Sequence, residues 1–99
     1  MKKDKTIIDF IRRLKLNTNF VSLEIVDYWE ADLCAIGIKK GDKLVYVSTY
    51  NYLDEEIKKY DYDLELKAGW NENKIEVVKS ERGVYEEVLV ARIKEFLQV

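Results

Sequence analysis

A chain of 99 residues, 47% apolar and 36% charged with both signs interspersed, reads as one globular domain over residues 1–99. A formal net charge of −2 leaves no cationic excess to displace counterions from phosphates, so neither nucleic acid nor an anionic membrane is an expected partner. A single cysteine excludes an internal disulfide, and the lack of any histidine removes the commonest general base and metal ligand.

The opening Met1–Leu14 has the lysines of a signal peptide, but Asp4, Asp9, Arg12 and Arg13 interrupt the apolar core such a peptide needs. No run approaches the roughly 20 apolar residues of a membrane span, and a cytoplasmic location is the expectation. Ile7, Ile8, Phe10, Ile11 and Leu14 recur at helical spacing and predict a helix over 4–16. Asp4 or Thr6 can cap it, and Arg12, Arg13 and Lys15 suit its C-terminal dipole. Asn17, Thr18 and Asn19 are turn residues that end it.

Val21, Leu23 and Ile25 alternate with Ser22 and Glu24, predicting a half-buried strand from Phe20 to Tyr28. A segment of acids and aromatics, 27–32, interrupts. Residues 33–39 then predict a strand apolar on both faces, with Leu33, Ala35 and Gly37 on one and Cys34, Ile36 and Ile38 on the other, as a central strand requires. Lys39-Lys40-Gly41 fits a three-residue hairpin loop leading to a strand over 43–50. That loop sets Ile36 opposite Leu44 and Ala35 opposite Val45; a different loop length exchanges the faces.

Residues 51–59 fit a short helix or an ordered loop. Tyr60, Tyr62, Leu64, Leu66 and Ala68 alternate with Asp61, Asp63, Glu65 and Lys67, predicting a strand with one wet face. A turn over 69–73 and a strand over 74–80 follow, broken at Ser80–Gly83. The last helix is expected over 84–97, with an apolar stripe through Tyr85, Val88, Leu89, Ile93 and Leu97. The fold class is therefore α+β: a five-stranded antiparallel sheet packed by N- and C-terminal helices, in the order α-β-β-β-(short α or loop)-β-β-α.

Chemistry is sparse in this chain. Cys34 sits among apolar neighbours with no histidine to activate it, and reads as a buried structural thiol. Four scattered glycines form neither a phosphate loop nor a dinucleotide fingerprint, and no cofactor is expected. Asp61, Asp63 and Glu65 project from one strand face about 7 Å apart, a row able to hold a hard cation but without the spacing of a calcium loop. A solvated strand face explains the row more economically. A carboxylate-based enzyme is the poorest-supported reading.

The aromatics are more informative. Seven tyrosines and two tryptophans accompany nineteen acids, and Asp27, Tyr28, Trp29, Glu30 and Asp32 cluster in one interruption. Tyrosine and tryptophan anchor protein interfaces, and acids beside them steer a basic partner. For Tyr60 and Tyr62 core packing is the better expectation.

A small acidic domain carrying DYWEAD and YDYDLE resembles the bacterial immunity proteins that neutralise polymorphic or contact-dependent toxins. The resemblance implies a non-catalytic protein-binding module covering a basic toxin domain. It casts Asp27, Glu30, Asp32, Asp61, Asp63 and Glu65 as contacts, beside the aromatic anchors Tyr28 and Trp29. The element order is also similar to that of the dimeric chaperones of type III secretion, which implies a homodimer instead. Two helices on one sheet face would leave the other apolar face of the central strand in need of cover.

Overall fold

The computed structural model describes residues 2–67 and 75–99. Its first helix, α1, spans Lys5–Asn17 and begins where the Asp4 carboxylate accepts the Thr6 backbone N–H at 2.9 Å and the Thr6 hydroxyl at 2.6 Å. At the other end the Thr18 hydroxyl donates to the Leu14 carbonyl, drawing that group out of the helical ladder. The second helix, α2, spans Glu86–Leu97. Glu86 and Glu87 lie in its first turn, and Gln98 in left-handed conformation closes it.

Between the helices run β1 (Glu24–Val26), β2 (Ala35–Lys40), β3 (Lys43–Ser48), β4 (Lys59–Lys67) and β5 (Ile75–Tyr85). They form one antiparallel sheet in chain order, so every strand neighbours its sequence successor. The α+β architecture is the one the hydrophobic patterning predicts.

Both helices lie on the same face. Ile7, Phe10 and Leu14 of α1 and Leu89 and Ile93 of α2 are fully buried in one cluster with Ile36, Ile38, Val45, Val47, Tyr60 and Tyr62. The register makes that face continuous: Ile38 opposes Val45, which opposes Leu64, and Ile36 opposes Val47, which opposes Tyr62. Burying such side chains contributes about 1.5–3 kcal/mol each and drives the assembly.

Two polar straps tie the helices to the sheet from within this face. The Tyr60 hydroxyl donates to Glu86 Oε1 at 2.6 Å, and Arg13 of α1 grips the same carboxylate through two bonds of 2.8 and 2.9 Å. Two residues further along β4, Tyr62 donates to Glu81, which Arg92 of α2 also meets at 3.2 Å. Each buried ring thus hands its hydroxyl to a carboxylate that a helix arginine neutralises. Tyr60 and Tyr62 are core residues, as expected.

Several local expectations are corrected. The hairpin loop holds two residues, Gly41 and Asp42, with Lys40 opposite Lys43. Gly41 has φ +59° at the first central position, where a type II′ turn requires glycine. Ile36 therefore faces Val47 instead of Leu44, and Gly37 faces Tyr46. Phe20–Ser22 is a 3₁₀ turn, not the start of β1. Residues three apart share a side of such a turn, so Phe20 and Leu23 both reach the core while Val21 stays 95% exposed. Segments 27–34 and 49–50 lie outside the strands, and Tyr50–Tyr52 forms a 3₁₀ turn, resolving the ambiguity over 51–59.

β5 does not break at Ser80. It continues to Tyr85 through two bulges, where Lys79 and Val77 oppose consecutive residues of β4 and where Val84 and Glu81 oppose Tyr60 and Tyr62. The helix accordingly starts at Glu86, not Val84. The expected turn over 69–73, with Ala68 and Lys74, falls outside the described residues.

Candidate functional site

The candidate site is the sheet face opposite the helices. Its rows follow from the register: Val26, Gly37, Tyr46, Asp63 and Ser80 in one, and Glu24, Lys39, Leu44, Glu65 and Val77 in the next. The acidic strand residues thus point away from the helices, as strand alternation requires once Tyr60, Tyr62 and Leu64 face the core.

The loop over 27–34 folds across this same face. Gly37 forms a notch in the sheet: a Cβ there would lie 2.7 Å from Val26 Cγ2, 2.9 Å from Leu44 Cδ1 and 3.2 Å from Trp29 Cζ3. Trp29 occupies the notch and meets the Tyr46 ring edge-on, with centroids 4.8 Å apart, while Tyr28 packs on Trp29 at 5.8 Å. Gly37 is consequently buried although it lies on the face away from the helices, and Ala35 on the same face is buried too. The chain's own tryptophan thus covers the strip at Gly37, while Leu33 at its end stays 53% exposed.

One lysine pins the loop. The Lys3 ammonium, its side chain only 1% exposed, bonds Asp27 Oδ1 at 2.7 Å, the Asp32 carbonyl at 2.8 Å and the Trp29 carbonyl at 3.1 Å. These three acceptors match its three protons. Asp27 Oδ1 also receives the Trp29 N–H, Asp32 Oδ1 receives the Cys34 N–H, and the Asp4 N–H donates to the Leu33 carbonyl. Asp27 and Asp32 therefore shape the loop. Tyr28 is 63% exposed, Trp29 is half-buried, and Glu30 is exposed.

The strand acids divide. Asp61 is buried and accepts Tyr52 Oη–H at 2.6 Å, the Asn51 amide at 3.0 Å and the Gly83 N–H at 3.0 Å. It locks the 50–52 turn against β5 and is not available to a ligand. Asp63 receives the Ser80 hydroxyl at 2.6 Å and Arg82 at 3.0 Å. Glu65 is half-buried, and burial, aided by the Asp63 charge, raises its pKa. With Tyr28, Lys39, Leu44 and Ile75 it lines a recess of about 270 Å³.

Sequence grouping and spatial grouping thus agree in part. Tyr28 and Glu65 share a recess, and Trp29 and Asp63 flank Tyr46, so the loop aromatics and the strand acids reach one face. Lys3, Tyr46 and Arg82 complete that arrangement and were not singled out from the sequence. Lys3 stands in a run of exposed-looking lysines, and only the fold reveals its acceptors. Among the described residues, no three His, Cys, Asp or Glu side chains converge as a metal ion requires. No described helix is long and apolar enough to cross a membrane. Comparison of the chain with protein-family models, with curated proteins and with solved structures finds no match.

Proposed function

We propose that the protein is a non-catalytic protein-binding module whose helix-free sheet face docks a basic partner. The observation that carries this reading is the pinned loop: a buried ammonium fixes Tyr28 and Trp29 beside Tyr46, Asp63 and Glu65. Rigid aromatic anchors lose little entropy on binding, and flanking carboxylates favour cationic partners. The internal hydrogen bonds of Asp27, Asp32, Asp61 and Asp63 suit a shaping role better than proton transfer. Neutralisation of a basic toxin domain, in the manner of a bacterial immunity protein, is the setting we propose in a cytoplasm.

The test is affinity capture from the native host with wild-type protein, Tyr28→Ala/Glu65→Lys and, as a control on the helix side, Arg12→Glu. The reading expects a basic protein held by wild type and by the control and lost by the double variant. A capture profile identical for all three proteins refutes it. Co-expression of wild type with a toxin-like neighbouring reading frame then tests the immunity setting by restoration of growth.

A further inference from the structure

Among the described residues, β5 is the longest strand of the sheet and is paired on one side only, to β4. Ile75, Val77, Val78 and Tyr85 along it are 59, 52, 45 and 47% exposed, an apolar content that edge strands ordinarily avoid. Edges are usually blunted by bulges and charges, and β5 carries both. Their placement, however, is symmetric. One bulge leaves Val78 as the extra residue and the other falls at Arg82–Gly83, on either side of Ser80.

We propose that β5 is a self-association edge, on which a second copy of the chain pairs antiparallel about a two-fold axis at Ser80. A two-fold axis normal to the sheet keeps each residue on its own face, so opposed residues must share a face. They do. Lys79 would oppose the partner copy's Glu81, and both belong to the helix side, opposite Leu64 and Tyr62. Ile75 would oppose Tyr85, both on the helix-free side, opposite Lys67 and Lys59. Val77 would oppose Gly83, and Val78 would oppose Arg82, bulge against bulge.

The symmetry duplicates every contact. Two opposite-charge pairs and two apolar pairs arise from a single strand, and the twist that the bulges impose on one copy is matched in the other. The contact is one strand wide, at the small end of specific interfaces, so the dimer is expected to dissociate on dilution. The edge adjoins the proposed docking face at Ile75, Val77 and Ser80, but the pairing uses the outward backbone groups of β5 and does not rest on that reading.

Sedimentation equilibrium over a wide concentration range, combined with cysteine cross-linking, tests it. Wild type is expected to dimerise reversibly. Lys79→Glu sets glutamate against glutamate twice and is expected to weaken the dimer about tenfold with the circular dichroism spectrum unchanged. Ser80→Cys places two thiols across the axis, within the Cα separation a disulfide spans, and is expected to cross-link on mild oxidation. Val21→Cys, on a 95% exposed residue away from the edge, is the control and is expected not to. A monomer at every concentration overturns the proposal, as does a dimer indifferent to Lys79→Glu or cross-linking equally through both cysteines. Capture of another protein's extended segment along β5, without self-association, overturns it too.

Discussion

Replacing Lys3 by methionine keeps the length and apolar stem of the side chain while deleting the charge that pins the 27–34 loop. Its ammonium serves three acceptors. Asp27 is 35% exposed and regains water, the Trp29 carbonyl keeps the Asp32 N–H, and the Asp32 carbonyl keeps the Ala35 N–H. No acceptor is left bare, so each lost bond costs less than the usual range of about 1.5–3 kcal/mol for a charged donor, about 1 kcal/mol apiece and about 3 kcal/mol in all. For a domain of this size that corresponds to a midpoint lower by about 15 °C. Thermal and urea unfolding followed by circular dichroism measure it.

A second readout locates the damage. In a Trp70→Phe background Trp29 is the sole indole, and release of its ring from the Gly37 notch should shift its emission to longer wavelength before global unfolding. Lys5→Met, on an 88% exposed side chain, is the control. Stability within half of the control's error and unaltered Trp29 emission would show that the loop holds by ring packing alone, and the argument from Lys3 would fall.

Gly37→Ala forces a methyl group against Val26 and Leu44 and should destabilise by about 1–3 kcal/mol, with Trp29 displaced from Tyr46 by the same fluorescence criterion. Tyr62, its pKa pushed up to about 12 by burial and by Glu81, and Tyr60, raised further by burial and by Glu86, hold their protons more tightly folded than unfolded. Their contribution is complete below the ordinary tyrosine pKa near 10 and declines as pH climbs through the folded values; urea titrations across that range should show the decline, flattened in Tyr62→Phe. Burial raises the pKa of Glu86, but the bonds from Arg13 and Tyr60 outweigh it and the net shift is downward. Glu86→Gln should therefore cost stability above about pH 4.5 and progressively less as acid protonates the folded carboxylate. Gly83 has φ +64° with Tyr52 Oη beside it, and Gly83→Ala should cost about 1–2 kcal/mol on urea unfolding.

The architecture was legible because alternation and helical spacing are long and strong in this chain: five strands and two helices stand in the predicted order. The errors are local and each has a physical source. Phe20 to Ser22 alternates like a strand, but burying Phe20 and Leu23 together selects a 3₁₀ turn. The hairpin glycine was recognised as a turn residue, yet the choice between two and three loop residues depends on which register buries Ile36 and Ile38 against Val45 and Val47. The site was legible as a cluster of aromatics and acids, but not in its division of labour. Whether Asp61 is a surface charge or a buried acceptor depends on Tyr52 and Gly83, nine and twenty-two residues away.

The strap at Glu86 has a consequence for how the chain is made. Arg13 near the beginning and Glu86 near the end meet across a separation of 73 residues, with Tyr60 between them. As the polypeptide leaves the ribosome, α1 emerges with its apolar stripe complete and nothing to receive it, since the sheet and α2 follow. Its docking waits for the sheet and α2, and until then Ile7, Phe10, Ile11 and Leu14 are open to whatever is nearby. Folding is thus expected to be a late, all-at-once event, and the nascent chain to be a natural client for holding chaperones. Chains stalled before residue 86 should be captured by such chaperones and cleaved readily, whereas chains stalled beyond α2 should not.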